Sequence, residues 1–248
     1  MVHMQFDFTT TEADLILKRR QFAAAMVKFR SDAWYQHFGL MVSATNVSLQ
    51  AILLLRLFWS PLGFGFQVLA LAVGYLAADF LNGLVHLVMD GYEDYTSLAG
   101  PLVANFHLHH RTPRYTPHHL AAIYFLESGS KIWLVVFLGL TLAFSGWLPA
   151  FALHLLVFTG VLSSVAEVSH YLCHTSNSRV AKVLAAGGLF LSKRHHAKHH
   201  QGDNTHYAFL NGFTDPLLNL IAKKYSRSYK RGTDQHYADF IDPSAESR

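Results

Sequence analysis

The chain contains one cysteine, Cys173, among 248 residues, which excludes an internal disulfide. A single thiol also excludes zinc sites built from CxxC pairs. Charged residues are scarce as well, at 15% of the chain, against about 25% in an average soluble domain. Hydrophobic residues make up 51%, and the mean hydropathy is +0.20. These deficits favour a membrane protein over a soluble one.

Three long stretches of the chain are almost free of charge. Residues 34–60 contain Arg56 as their one charged residue, and residues 64–89 contain Asp79. Both stretches exceed the roughly 20 apolar residues that a helix needs to cross the hydrocarbon core. Residues 132–172 are too long for one span, and Ser, Gly and Pro near residue 147 predict a turn within them. We therefore expect a hairpin of two spans there, the first of them short.

The predicted fold class is an all-α integral membrane protein with about four transmembrane helices and a histidine-rich, metal-binding cap on the cytoplasmic side. Basic and apolar residues alternate before the first span, a pattern typical of an amphipathic helix at the membrane surface. The expected organisation is an amphipathic N-terminal arm at 1–33, a membrane domain at 34–225 with spans near 34–60, 64–89, 132–148 and 150–172 and histidine-rich segments at 90–131 and 173–225, and a polar C-terminal tail at 226–248.

The basic residues predict which side of the membrane each segment faces. Of the 20 Lys and Arg, all but Arg56 lie in the N-terminal arm, in residues 91–131 or after residue 173. Cytoplasmic flanks of membrane spans are enriched in basic residues. We therefore expect both termini and the metal site on the cytoplasmic side of a bacterial inner membrane or the endoplasmic reticulum. The net charge of +4 indicates attraction to anionic headgroups and no nucleic-acid partner, since no nucleic-acid motif accompanies it.

Histidine is abundant, with 17 residues in the chain. Neutral imidazole is a common ligand of iron and zinc, so spaced histidines predict a metal site. The predicted spans bring clusters that are far apart in sequence to one side of the membrane, as a site with more than one metal ion requires. The clusters are His107, His109 and His110; His118 and His119; His170 and His174; and His195, His196, His199 and His200.

The second predicted span carries polar residues on one helical face, at Asp79, Asn82, His86 and Asp90. An acid or a histidine within a membrane span is costly unless it is paired, hydrated or bound to metal. We predict His86 and Asp90 as metal ligands and Asp79 as a hydrogen-bonding support of the site. A simple interhelical hydrogen bond is the alternative for Asp79.

The last predicted span repeats this arrangement near its end. His170 and His174 are one helical turn apart, so both imidazoles can bind a single ion. Glu167 lies one turn earlier and is placed to accept the N–H of a ligand histidine.

Residues 195–200 form the most specific motif. As a helix, they place His196 on one face with His199 and His200, and His195 one turn from His199. Four cationic imidazoles this close would repel one another, so neutral, metal-bound side chains are expected. We predict all four as ligands.

The segment 106–120 supplies further candidates on either side of Pro113, which ends any regular helix. His109 and His110 are the preferred ligands, and His119 is a further one. His107 is expected to support a ligand rather than to bind metal itself.

The candidate ligands are about ten in number, more than the four of one tetrahedral zinc ion. They suit two ions, each with six or fewer ligands and some positions open. Because histidine dominates and no cysteine cluster is present, two non-haem iron ions are favoured. Such a pair activates O2 to remove hydrogen from an unactivated C–H bond, while the protein positions the substrate chain. No catalytic acid or base separate from the ligands is identified.

Five motifs in a fixed order also carry a family resemblance. They are Gly83-Leu84-Val85-His86 with Asp90; Phe106, His109, His110, Pro113 and His119; Ser169, His170 and His174; His195, His196, His199 and His200; and Tyr207, Gly212, Phe213, Pro216 and Leu217. With these motifs the chain resembles, over residues 79–221, the lipid desaturases that include animal plasmanylethanolamine desaturase, a bacterial carotenogenesis regulator and the plant plastid desaturase of phosphatidylglycerol.

The resemblance implies a di-iron, O2-dependent desaturation of a lipid-borne acyl or alkyl chain, with electrons from a redox protein such as cytochrome b5 or ferredoxin. The sequence departs from animal members at Leu87, His107 and Asn204, where they have Trp, Arg and His. The plasmalogen substrate itself is therefore not carried over. The resemblance implies metal-binding roles for a set of histidines. They are His86, His109, His110, His170, His174, His196, His199 and His200, with His119 and His195 as further positions.

Two alternatives remain open at this level. A di-iron hydroxylase begins with the same removal of hydrogen and is not separated from a desaturase by sequence. A membrane metal transporter or sensor would use the histidines for capture, but it should carry ligands near the middle of the membrane, whereas these gather at one end of the spans.

Overall fold

The computed structural model describes residues 12–111, 118–201, 204–226 and 240. These residues form helices and connecting turns without a β-strand, which confirms the all-α class for this part of the chain. Predictions on residues 1–11, on Pro113 and on most of the tail after residue 226 lie outside the described residues.

The described residues form ten α-helices and one 3-10 turn. They are α1 (Glu12–Ser31), α2 (Ala33–Leu57), α3 (Phe64–Asp90), α4 (Gly100–Arg111), α5 (Leu120–Leu126), the 3-10 turn (Glu127–Ser130), α6 (Ile132–Phe144), α7 (Ala150–Thr175), α8 (Arg179–Ala186), α9 (Lys193–Gln201) and α10 (Asp215–Tyr225).

Three of the helices, α2, α3 and α7, are long and apolar enough to cross a membrane. A fourth crossing results if α5 and the 3-10 turn form one bent span with α6, since the two parts meet at 92°. Helix α6 has 13 residues, about 20 Å of helix, which is short of the roughly 30 Å hydrocarbon core. The chain therefore has three or four candidate spans, where the sequence predicts four.

Helices α3 and α7 pack against each other and form the scaffold of the bundle. Their close approach depends on Gly74, where a Cβ would lie 3.2 Å from backbone atoms of Leu155 and Thr159. Outside this contact, α3 exposes large apolar side chains such as Phe66 and Leu69, as a lipid-facing helix does. The paired helices end at the same level of the bundle, where α3 carries Asp90 and α7 carries His170 and His174.

The bend before α6 is held by polar side chains of α2. The side-chain amide of Asn46 donates to the carbonyls of Ser128 and Lys131, at 3.1 and 3.2 Å. One turn later, Gln50 donates to the hydroxyl of Ser164 at 2.9 Å. Carbonyls left without partners in an apolar bundle are costly, so the two Asn46 bonds stabilise the bend, while the Gln50 bond joins α2 to α7.

Lys131 lies inside the bundle with 3% of its surface exposed. Its ammonium donates to Asn82 and to the carbonyl of Ser163, both at 2.5 Å, and pairs with Glu167 at 3.0 Å. This differs from the expectation that the basic residues of 91–131 lie at the membrane surface. A lysine is tolerated here because an acid of α7 neutralises it and oxygens of both scaffold helices solvate it.

The predicted amphipathic arm contains α1, whose apolar face packs against protein. Phe22 and Met26 are fully buried against Tyr95, Val103 and Ala104. Helix α1 therefore braces α4, which supplies two of the candidate ligands.

Helix α10 reaches α3 at Gly83. A Cβ at this position would clash with the Leu218 side chain and lie 3.0 Å from Cα of Ala208. The neighbouring residue Tyr207 accepts a hydrogen bond from His86 through its carbonyl. The absence of a side chain at position 83 thus allows the segment around Tyr207 to pack directly against α3.

We expect Gly83→Ala to destabilise the fold by about 1–3 kcal/mol, because the added methyl group overpacks the contact between α3 and α10. Thermal unfolding of the purified protein in detergent measures the loss. Gly65→Ala is the matched control, since nothing lies within 4 Å of a Cβ there. Equal stability of the two variants would contradict the close packing at Gly83.

Candidate metal centre

Helices α3, α4, α7 and α9 converge at one end of the bundle and bring nine candidate ligands together. Within each of two groups, one atom from every side chain lies within 4.8 Å of the others. The five-histidine group consists of His109, His170, His174, His196 and His200, and the Asp90 group consists of His86, Asp90, His110 and His199.

In the five-histidine group the Nε2 atoms point at one another. His196 Nε2 lies 2.9 Å from Nε2 of both His170 and His200, and His174 Nε2 lies 3.2 Å from that of His170 and 3.1 Å from that of His109. Two nitrogens bound at right angles to one ion, each about 2.1 Å from it, are about 3.0 Å apart. The observed spacing is that of neighbouring ligands around a single ion.

In the Asp90 group three imidazoles surround one carboxylate. Asp90 Oδ1 lies 3.0 Å from His110 Nε2 and 3.6 Å from His86 Nε2, and Oδ2 lies 3.7 Å from His199 Nε2. All four side chains are buried. An acid and three imidazoles facing one point form a donor set suited to a divalent cation.

Backbone carbonyls fix the tautomers of two of these histidines. His86 donates its Nδ1–H to the carbonyl of Tyr207 at 2.9 Å, and His199 donates its Nδ1–H to that of Thr205 at 2.9 Å. Each ring therefore presents the lone pair of Nε2 to the group. Among the described residues His199 Nε2 has no hydrogen-bond partner although it is buried. A metal ion would satisfy this atom.

Two helices serve both groups. Helix α4 contributes His109 to one and His110 to the other, and α9 contributes His199 to the Asp90 group between two members of the five-histidine group. The rings of His110 and His200, from different groups, have centroids 5.5 Å apart. Two ions bound here would therefore be close neighbours.

Burial favours the neutral form of four candidate ligands on α4 and α9, His109, His196, His199 and His200. Burial, together with the nearby imidazoles of His110 and His174, lowers the pKa of the His200 imidazole to about 3. Burial also lowers the pKa of His109, His196 and His199 well below the usual range. A neutral imidazole is the form that binds a metal ion.

Asp79 supports the site through a loop and not through a ligand histidine. Its carboxylate accepts hydrogen bonds from the backbone N–H groups of Asn211, Gly212 and Thr214, at 2.9, 3.2 and 3.0 Å, and from the Thr214 hydroxyl at 2.7 Å. These bonds tie the chain that precedes α10 to the middle of α3.

Glu167 and His107 also lie next to the ligands. The Glu167 carboxylate pairs with Lys131 at 3.0 Å, and its second oxygen lies 4.0 Å from His170 Nδ1. His107 donates its Nε2–H to the carbonyl of Met89 at 2.8 Å and accepts from the Tyr95 hydroxyl at 2.6 Å. His107 therefore joins α4 to the end of α3, beside Asp90.

The structure does not bring His195 and His119 into either group. The His195 imidazole bonds the buried carboxylate of Asp215, and its ring lies 4.9 Å from that of His206. His119 is exposed at the start of α5. On helix α9 one residue corresponds to a turn of about 100°, so His195 faces α10 while His196 faces the other ligands.

We expect His195→Ala to keep the metal content of the unmodified protein, because His195 bonds Asp215 and no ligand. Metal analysis of the purified variant tests this, with His119→Ala as a second variant outside both groups and His196→Ala as the positive control. Loss of one ion from His195→Ala would place this residue among the ligands.

Some residues that shape the site carry no recognisable sequence signal. The carbonyls of Thr205 and Tyr207 fix ligand tautomers, but any residue has a carbonyl. Asp215 lies 20 positions from its partner His195, and Lys131 and Glu167 are separated by a whole hairpin. A lone lysine beside a long apolar stretch is the one signal that could have identified Lys131.

Fold and site together define a helical protein with three or four candidate membrane spans and two adjacent groups of side chains that could hold metal ions. The family model described as the lipid desaturase domain matches residues 75–224, which is more than half of the chain and includes every ligand candidate. The chain belongs to the lipid desaturase family. No curated protein and no solved structure matches it.

Proposed function

We propose that this protein is a membrane-bound, di-iron, O2-dependent desaturase that introduces a double bond into a lipid-borne acyl or alkyl chain. The observation that carries the proposal is the pair of adjacent ligand groups, with nine side chains drawn from four helices. Membership of the lipid desaturase family supports the reaction type. The metal end of the bundle is placed on the cytoplasmic side, as the distribution of basic residues favours.

The nine side chains of the two groups would hold the two irons. When bound, the iron pair supplies the activation of O2 and the removal of two hydrogens from adjacent carbons. The chain's own contribution is to orient the ligand side chains and to exclude water from the site. The Thr205 and Tyr207 carbonyls orient His199 and His86, and the buried walls around them keep water from the reacting carbons.

An external electron donor follows from the stoichiometry of the reaction. Removal of two hydrogens from the substrate releases two electrons, whereas reduction of O2 to two molecules of water consumes four. Two electrons must therefore come from another molecule, and a small redox protein such as cytochrome b5 or ferredoxin is the proposed partner. Lys198, which is exposed on α9, suits an acidic partner.

The proposal is tested by metal and lipid analysis together. The purified protein should contain close to two irons per chain, and cells that express it should accumulate lipids lighter by two hydrogens than those of cells expressing a His199→Ala, His200→Ala variant. Identical lipid profiles would contradict desaturase activity. Products heavier by one oxygen would identify a hydroxylase instead.

A metal transporter is less well supported by the geometry. The ligands on the candidate spans lie in the last turns of α3 and α7, from His86 to Asp90 and from His170 to His174. A transport site is expected near the middle of the membrane. Metal-dependent uptake into proteoliposomes would favour the transporter over the enzyme.

A further inference from the structure

A cavity of about 530 Å³ lies between the end of α7, helix α8 and the start of α9. Its volume is in the range of sites that bind small organic ligands, about 300–1,000 Å³. Apolar side chains form much of its wall, among them Leu172, Ala185, Phe190 and Leu191. The cavity therefore suits the hydrocarbon part of a ligand.

Three cations also line this cavity, and none of the described residues that line it is acidic. They are Lys182 on α8 and Lys193 and Arg194 at the start of α9. The Lys193 ammonium donates to the side-chain carbonyl of Asn177 at 3.0 Å. Lys182 and Arg194 are exposed and have no ion-pair partner among the described residues. An apolar cavity with unpaired cations is complementary to an anionic amphiphile.

The two faces of helix α8 indicate that this cavity lies near the membrane interface. Its outer face exposes Val180 and Val183, each at 69%, next to the charged face that carries Lys182. Separate apolar and basic faces on a short helix directly after a candidate span are typical of a helix along a membrane interface. A phospholipid can then enter the cavity from the side.

The cavity shares its walls with the metal centre. On α7, Ser169 and Cys173 line it, each one residue before a member of the five-histidine group. On α9, Arg194 lines it two residues before His196. A headgroup held between α8 and α9 thus lies close to α7 and α9, the two helices of the cavity wall that also carry candidate ligands.

We propose that this cavity binds an anionic glycerophospholipid, with its phosphate group between Lys182, Lys193 and Arg194 and the start of one chain against the apolar wall. As the headgroup site of the substrate, it rests on the proposed function. The site selects anionic over zwitterionic lipids, because a zwitterionic headgroup would bring its own cation next to three others. Holding the headgroup at one place also fixes how far along the chain the reacting carbons lie.

Lipid binding is measured without turnover, so that its outcome is independent of desaturase activity. The full chain, delipidated in detergent, is titrated with phosphatidylglycerol or with phosphatidylcholine of the same chains, and bound lipid is counted by native mass spectrometry. We expect one phosphatidylglycerol to bind about tenfold more tightly than phosphatidylcholine. The double variant Lys182→Gln, Arg194→Gln should bind the two lipids equally.

Two further variants separate the cavity from general surface charge. Lys223→Gln, Lys224→Gln removes the same charge from α10 and should keep the preference, whereas Ala185→Trp fills the cavity and should weaken binding of both lipids. Thermal unfolding of each variant in detergent verifies folding. Equal affinity for the two lipids, or equal loss in the α10 variant, would overturn the proposal. Displacement of the lipid by excess inorganic phosphate would also overturn it, since the site would then take free phosphate.

If phosphatidylglycerol binds as expected but no desaturated lipid forms in cells, the cavity is a lipid site and the proposed function fails. If desaturation occurs without the binding preference, the function stands and the headgroup site fails.

Discussion

Replacing His196 by Ala is expected to leave about one iron per chain and to lower desaturation by about 100-fold or more. The His196 Nε2 lies 2.9 Å from Nε2 of both His170 and His200 and is central to the five-histidine group. Loss of a partner that only orients a ligand already costs 10–100-fold in affinity or activity, so loss of a ligand itself costs at least as much. Iron analysis and quantification of lipid products measure the two effects.

A second variant, His199→Ala, separates the two groups. This variant removes the α9 imidazole that faces Asp90. The Asp90 group should then lose its metal ion, while the five-histidine group keeps its own. His37→Ala, an exposed histidine of α2, is the matched control and should keep both irons. Two irons in His196→Ala would show that this residue is not a ligand. Loss of both irons from either variant would show that the two groups bind metal as one unit.

The helical part of the site could be predicted from the sequence. Asp79, His86 and Asp90 recur at helical spacing on a stretch long enough to span a membrane, and the structure places them on one buried face of α3. His170 and His174 follow the same rule on α7. In both helices the local period determines which side chains share a face, and burial of polar groups in an apolar helix requires partners.

The division of the candidate ligands between two groups could not be predicted in this way. His109 and His110 are neighbours in sequence but enter different groups, and so do His199 and His200. Their assignment depends on how α4 and α9 are rotated against the scaffold, which the sequence alone does not determine. The same rotation turns His195 toward Asp215 and away from the ligands.

Substitution of Lys131 by Met is expected to give the largest loss of stability among the variants that do not touch a ligand. It leaves the Glu167 carboxylate buried without the ammonium that lies 3.0 Å away. Breaking a buried ion pair on one side costs about 3–5 kcal/mol, because an uncompensated charge remains. Thermal unfolding in detergent, with and without bound metal, measures the loss. Lys223→Met, on the exposed surface of α10, is the control and should change little.

The double variant Lys131→Met, Glu167→Gln distinguishes the charge from the packing. It removes both charges and keeps side chains of similar size, so it should be more stable than Lys131→Met alone. If the metal-free proteins show this order, the loss in the single variant comes from the unpaired carboxylate and not from an altered ligand group. Equal stability of the single variant and the unmodified protein would contradict the ion pair. Because Glu167 Oε2 also lies 4.0 Å from His170 Nδ1, the double variant should bind iron less tightly even where stability is recovered, which links the buried pair to the metal centre.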